Sequence, residues 1–169
     1  MNNFIALLRA VNVGGTGKLP MAELRALCES VGFKDVRTYI ASGNVLLRSD
    51  SSAVQVKAAL EKALARYAGK PVGVLVRTGV EMAAVIAANP FPAAAPNRVV
   101  AIFLDGAPPA DTLETARHLN EERIVLGKRE IYVHYGEGMA DSKLIIPAAK
   151  SGTARNMNTV ARLAAMAKE

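Results

Sequence analysis

Apolar positions along this chain alternate between two spacings, and the switches between them mark out the elements. Asn3 to Arg9 is a short, nearly unbroken apolar run with Phe4 and Ile5, which predicts a buried strand. A polar, glycine-rich loop follows, Asn12 to Lys18. Pro20 then suits the first turn of a helix, where its missing N–H costs nothing. Met21, Leu24, Leu27, Cys28 and Val31 recur at helical spacing and form one apolar stripe. Gly32 is placed to cap that helix, with Phe33 folding back on it. Val36 to Ala41 and Asn44 to Arg48 read as strands joined by a tight turn at Ser42-Gly43. Ser52 and Gln55 have capping-box spacing for a second helix. It should bury Val56, Leu60, Ala63, Leu64 and Tyr67 and end near Gly69. Val72 to Val76 makes a fourth strand.

Thr78 and Glu81 form another capping box, opening a short helix with Met82, Val85 and Ile86 that stops at Asn89-Pro90. Phe91 to Asn97 reads as a linker, and the pattern then restarts. Arg98 to Leu104 is a strand, and Asp111 to Asn120 a helix capped by Asp111. Arg123 to Leu126 and Glu130 to Tyr135 form a hairpin around Gly127-Lys128. Asp141 to Ile146 is a short helix cut by Pro147, and Asn156 to Lys168 a last helix. The expected fold class is α+β, with two ferredoxin-like halves of β-α-β-β-α-β order. The second copy is degenerate, carrying a C-terminal helix where its last strand should be. The expected boundaries are 1–77, a helix and linker at 78–97, and 98–169.

Composition narrows the function classes. About half of the residues are apolar, 51%, which excludes a disordered chain. The single cysteine, Cys28, forbids an internal disulfide and suits a reducing, cytoplasmic setting. Met1 to Leu8 lack the basic start and long apolar core of a signal peptide. No apolar run is long enough to cross a bilayer, so no membrane partner is expected. The formal charge of +6 favours anionic partners, although the basic residues are scattered rather than clustered.

The glycine-rich loop is the most suggestive segment. Its glycines let backbone N–H groups converge on an anion, the following helix start adds partial positive charge, and Lys18 adds a full one. It is not a Walker A loop, which would need Gly and Ser or Thr where Asn12 and Leu19 stand. The alternative is an ordinary strand-to-helix connection. Ser42, Gly43 and Asn44 have polar groups for the same ligand, or are plain turn residues. Arg9, Arg37, Tyr39 and Arg48 alternate onto one side of the strands and could present a basic sheet face to nucleic acid. The third strand, however, lacks the aromatic residues on which such domains stack bases. Thr153 to Thr159 is polar for a helix start, and Arg155 and Asn158 exceed what capping requires. His118, His134 and Cys28 lack metal-ligand spacing, and no nucleophile elbow occurs, so neither a metal nor a cofactor is expected.

Several segments together resemble a family known as domain of unknown function family 1697. They are Ala6 to Gly15 with Lys18, Pro20-Met21 and Leu24-Arg25, then Gly32-Phe33 and Val36 to Val45. Near the end they are Ser142-Lys143-Leu144 and Thr153 to Val160, where Met157 replaces the family's usual Trp. The resemblance implies a pair of ferredoxin-like units and assigns no activity. Two functions are therefore expected as alternatives. One is binding of a small phosphate- or carboxylate-bearing ligand, with or without catalysis, near the glycine-rich loop. Its site would join Asn12, Gly14, Gly15 and Lys18 with Ser42, Asn44, Lys143, Arg155 and Asn158. The other is a nucleic-acid- or protein-binding module using the basic sheet face.

Overall fold

Strand β1 (Asn2–Leu8) organises the first sheet, and its apolar run is why. The structure, a computed structural model, describes residues 1–9, 19–39 and 43–168. β1 pairs antiparallel with β3 (Asn44–Ser49) on one side and β4 (Val74–Thr78) on the other. β2 (Lys34–Tyr39) lies outside β3, giving the order β2-β3-β1-β4. Phe4, Ala6 and Leu8 point to a core with Val45, Leu47, Val74 and Val76. Helices α1 (Met21–Ser30) and α2 (Ala53–Ala68) close it with Leu24, Cys28, Val56, Leu60 and Leu64.

The helix ends follow the local chemistry of the sequence. Gly32 adopts φ 96°, its N–H bonds to Glu29 O at 3.1 Å, and the Phe33 N–H reaches Cys28 O at 3.3 Å. This Schellman pattern ends α1 and turns Phe33 into the core. At α2 both capping-box bonds form, Gln55 N–H to Ser52 Oγ and Ser52 N–H to Gln55 Oε1, and Gly69 closes the helix at φ 71°. The same box, Thr78 with Glu81, opens α3 (Gly79–Ala87).

The second sheet repeats the plan. β5 (Val99–Phe103) lies between β7 (Glu130–His134) and β8 (Thr153–Asn156), with β6 (Arg123–Leu126) outside β7. Its core holds Val100, Ile102, Leu104, Ile131, Val133 and Ile146. On the opposite face Tyr132 is buried, and its hydroxyl donates to Val85 O at 2.7 Å. Burial, with Glu130 nearby, pushes that phenol up to about 12. Helix α5 (Met157–Met166) ends the chain, with Asn156 Oδ1 accepting the Thr159 N–H at 3.0 Å. The chain divides into two compact units, 1–82 with 163–169, and 83–162. Among the described residues no helix is long and apolar enough to cross a membrane.

Four expectations are corrected. A last strand does exist: β8 pairs with β5 from Val100↔Asn156 to Phe103↔Thr153. The helix expected over Asp111 to Asn120 shrinks to α4 (Thr112–Thr115), and Asp111 makes no side-chain cap. Ala116 is extended and Arg117 exchanges backbone hydrogen bonds with Ile145, which takes the chain out of helical register. The helix expected over Asp141 to Ile146 is displaced to a 3-10 segment at Gly136–Asp141. Ile146, which precedes Pro147, is extended at φ −113°, ψ 105°, as steric conflict with the proline ring demands. Last, Val31 and Tyr67 sit at the surface rather than in the core.

Gly32→Ala has open space around the new methyl, so its cost is conformational alone, about 1 kcal/mol. Gly152→Ala places a methyl 2.3 Å from Phe103 O, so β5 must shift, at a cost of about 3 kcal/mol. Urea denaturation of the two variants checks that order. Cys28 is fully buried and its thiol is pushed up to about 12 by burial, then by Glu29. A thiol reagent should therefore label native protein only as fast as it unfolds.

Candidate functional site

The expected ligand residues fall in three places. Asn12, Gly14, Gly15, Lys18 and Ser42 lie outside the described residues. Their flanks are well defined. Leu7 pairs with Asn44, and the Leu8 N–H bonds to Gly43 O at 2.9 Å. Leu8 and Gly43 thus lie at the same end of adjacent strands. Leu19 is buried and α1 begins at Met21 without a side-chain N-cap. Asn44 is fully buried, its amide donating to Tyr39 O at 2.9 Å. That bond ties together the two strands that carry the turn.

Arg155 and Asn158 belong to unit 83–162. Arg155 stands on β8, not at a helix start, and is 7% exposed. Its guanidinium donates to Thr153 Oγ1 at 2.8 Å and Ala154 O at 2.9 Å. Burial lowers its pKa to about 10, so it keeps its charge at neutral pH. Asn158 is exposed on the first turn of α5.

Lys143 lines a cavity of about 340 Å³ in the same unit. One side is the segment carrying His118, Asn120, Glu121 and Glu122. Asp141, Ser142 and Tyr135 complete it. The backbone bridge between Arg117 and Ile145, with N···O distances of 2.8 and 2.9 Å, joins the two segments beside it. Glu122 is anchored at both oxygens, by the Asn120 N–H at 2.8 Å and by the Ser142 hydroxyl at 2.5 Å. The Ser142 bond first, and the backbone bonds after it, hold this carboxyl below the usual range. Tyr135 is shifted the other way, raised by burial and then by the charge of Glu122.

The Ser142 hydroxyl donates a hydrogen bond to Glu122 Oε2 and accepts from the Leu144 N–H at 3.3 Å. Among the described residues no histidine bonds to it, so no serine–histidine relay forms. No group of three or more His, Cys, Asp or Glu among them could hold a metal ion. Sequence reasoning missed His118, Glu122 and Tyr135. The helix expected over Asp111 to Asn120 included His118, and no motif marked Glu122 or Tyr135.

A family model described as protein of unknown function (DUF1697) matches residues 1–132. No curated protein matches the chain. Among solved structures, it is similar to a conserved bacterial protein from Streptococcus pneumoniae, with a TM-score of 0.81 and 23% identity. That match covers 100% of this chain and 99% of the other. At this identity the likeness shows the fold.

The anchored Glu122 makes a pH prediction. A carboxyl whose folded pKa lies below its ordinary 4.5 stabilises the fold at every pH above that value. The contribution is lost as pH falls from 4.5 through the folded pKa. Ser142→Ala removes the largest cause, so the Glu122 titration followed by carboxyl NMR should move up toward 4.5.

Proposed function

We propose, of a chain that belongs to the DUF1697 family of proteins of unknown function, that it binds a small anionic ligand beside the glycine-rich loop. The ligand carries a phosphate or carboxylate. Asn12, Gly14, Gly15 and Lys18 hold it from one segment, and Ser42 and Asn44 from the other. The observation that supports this is the pairing of Leu7 with Asn44 and of the Leu8 N–H with Gly43 O, which roots both segments at one end of one sheet. Converging backbone N–H groups and a lysine complement an anion without needing a catalytic base. Lys143, Arg155 and Asn158 belong to the other unit.

The alternative, an open basic sheet face for nucleic acid, meets an obstacle. The centre of that face is buried: Ile5, Leu7, Leu46 and Leu75 are each at most 1% exposed. Arg37 and Arg48 at its margin bond to Met166 O and to Asp35.

We also infer that the units descend from one ferredoxin-like plan. The strand orders β2-β3-β1-β4 and β6-β7-β5-β8 correspond position by position. Arg77 faces Ile5 across β4 and β1, and Arg155 faces Ala101 across β8 and β5. Each arginine directly precedes the residue that caps the next helix, Thr78 or Asn156. On this view the copies are 1–77 and 98–169, with 78–97 between them. The second copy's middle helix is reduced to 3-10 turns.

Inorganic phosphate should raise the melting temperature of the native chain saturably. Lys18→Ala should abolish that rise while leaving the melting point without phosphate nearly unchanged. The rise should depend only weakly on added salt, unlike nucleic-acid binding, which falls steeply through counterion release. No saturable rise, or one that Lys18→Ala leaves intact, rejects the site.

A further inference from the structure

The cavity beside Lys143 carries charges of both signs that the protein does not neutralise. Glu121 and Asp141 bring carboxylates and Lys143 an ammonium, all lining the same space of about 340 Å³. Among the described residues none of the three makes an ion pair or a side-chain hydrogen bond. The Tyr135 hydroxyl likewise has no partner there, and its raised pKa keeps it a donor. Glu122, by contrast, is fully engaged and serves as a wall. The backbone at His118 is held at φ 59°, which side chains other than glycine rarely adopt. The paired Arg117 and Ile145 fix it from one side.

We propose that this cavity binds a zwitterion of amino-acid size. The ligand's ammonium meets Glu121 and Asp141, and its anionic oxygens meet Lys143 and the Tyr135 hydroxyl. A simple anion would face the carboxylates of Glu121, Glu122 and Asp141 with one lysine in its favour. A simple cation would meet Lys143 and leave it unneutralised. A ligand with both charges satisfies both sets at once. The volume fits as well, since the space equals about eleven waters at ~30 Å³ each. That accommodates a free amino acid or an amine-bearing phosphate. This site is separate from the anion site proposed at the glycine-rich loop.

The test uses the intact chain with its histidines isotope-labelled. There are only two, so His118 reports the cavity and His134 serves as an internal control. β-Alanine and phosphoethanolamine are the probes, one presenting a carboxylate and the other a phosphate. Propionate and ethylamine are the single-charge controls. At least one zwitterion should move the His118 resonances saturably with His134 unmoved, and each single-charge control should bind at least about tenfold more weakly. Lys143→Ala and Glu121→Gln, both at exposed positions, should each weaken the zwitterion about tenfold without changing the unliganded melting point. Lys18→Ala should leave this titration unchanged, and Lys143→Ala should leave the phosphate-induced rise in melting temperature unchanged, so the two sites fail independently. The proposal is overturned if neither zwitterion gives a saturable His118 shift. It is overturned equally if the single-charge compounds match the zwitterions, or if Lys143→Ala binds like the unaltered chain.

Discussion

Five consecutive residues of β1, Phe4 to Leu8, are each at most 2% exposed, so neither face of this strand meets water. Alternate side chains point to opposite faces, and a strand apolar throughout must be covered twice. Helices α1 and α2 cover one face of the first sheet. On the other side the unit recruits residues 163–169 from the far end of the chain. Asn3 donates to Ala167 O at 2.8 Å and Arg37 to Met166 O at 2.9 Å, so both close the carboxyl end of α5. A cation at the end of a helix is favourable because the last carbonyls are unsatisfied. The first unit is therefore completed by the last turns of α5.

The second sheet obeys the same constraint with other residues. Val100 and Ile102 point to one core, while Val99, Ala101 and Phe103 are buried on the opposite face. There the largest side chain, Tyr132, is amphipathic and must place its hydroxyl, which Val85 O accepts. Arg77 and Arg155 are the costly members of these buried faces, at 1% and 7% exposure. A buried guanidinium is tolerable only where carbonyls and hydroxyls surround it. Arg155 finds Thr153 Oγ1 and Ala154 O, and Arg77 finds Val76 O.

Much of this was legible in the sequence because local chemistry agreed with the fold. Gly32-Phe33, Ser52 with Gln55, and Thr78 with Glu81 each set a helix end within a few residues, and each forms the expected bonds. What failed had its cause at long range. β8 reads as a polar helix start because Thr-Ala-Arg-Asn has almost no apolar content. It is a strand because β5, more than fifty residues earlier, offers it a free edge. The short α4 likewise yields to Ile145, whose backbone pairing with Arg117 no periodicity announces. The glycine-rich segment and Ser42 lie outside the described residues, and what the structure describes is their flanks, which meet in the Leu7–Asn44 pair.

The cavity of unit 83–162 could not be read in the same way, and the reason lies in how it is made. Its residues come from the stretches that abandoned helical register, 116–122 and 141–146, and from Tyr135 just past the end of β7. Positive φ alone does not mark such a place. Asp35 also has it, at φ 48°, where the β2–β3 register shifts between Lys34 and Arg37. There the bulge explains the conformation, because an extra residue in a strand must be turned out of the ladder. His118 has no strand to interrupt. It follows a single bridged residue, Arg117, and precedes the segment that ends in the doubly bonded Glu122. Holding a non-glycine residue there costs about 1–2 kcal/mol. The bonds of Arg117 and Glu122 offset that cost on either side of it. The same bonds that end α4 early thus fix His118 and leave Glu121, Asp141 and Lys143 around one concave space, where a bound ligand would add contacts that the protein itself does not make.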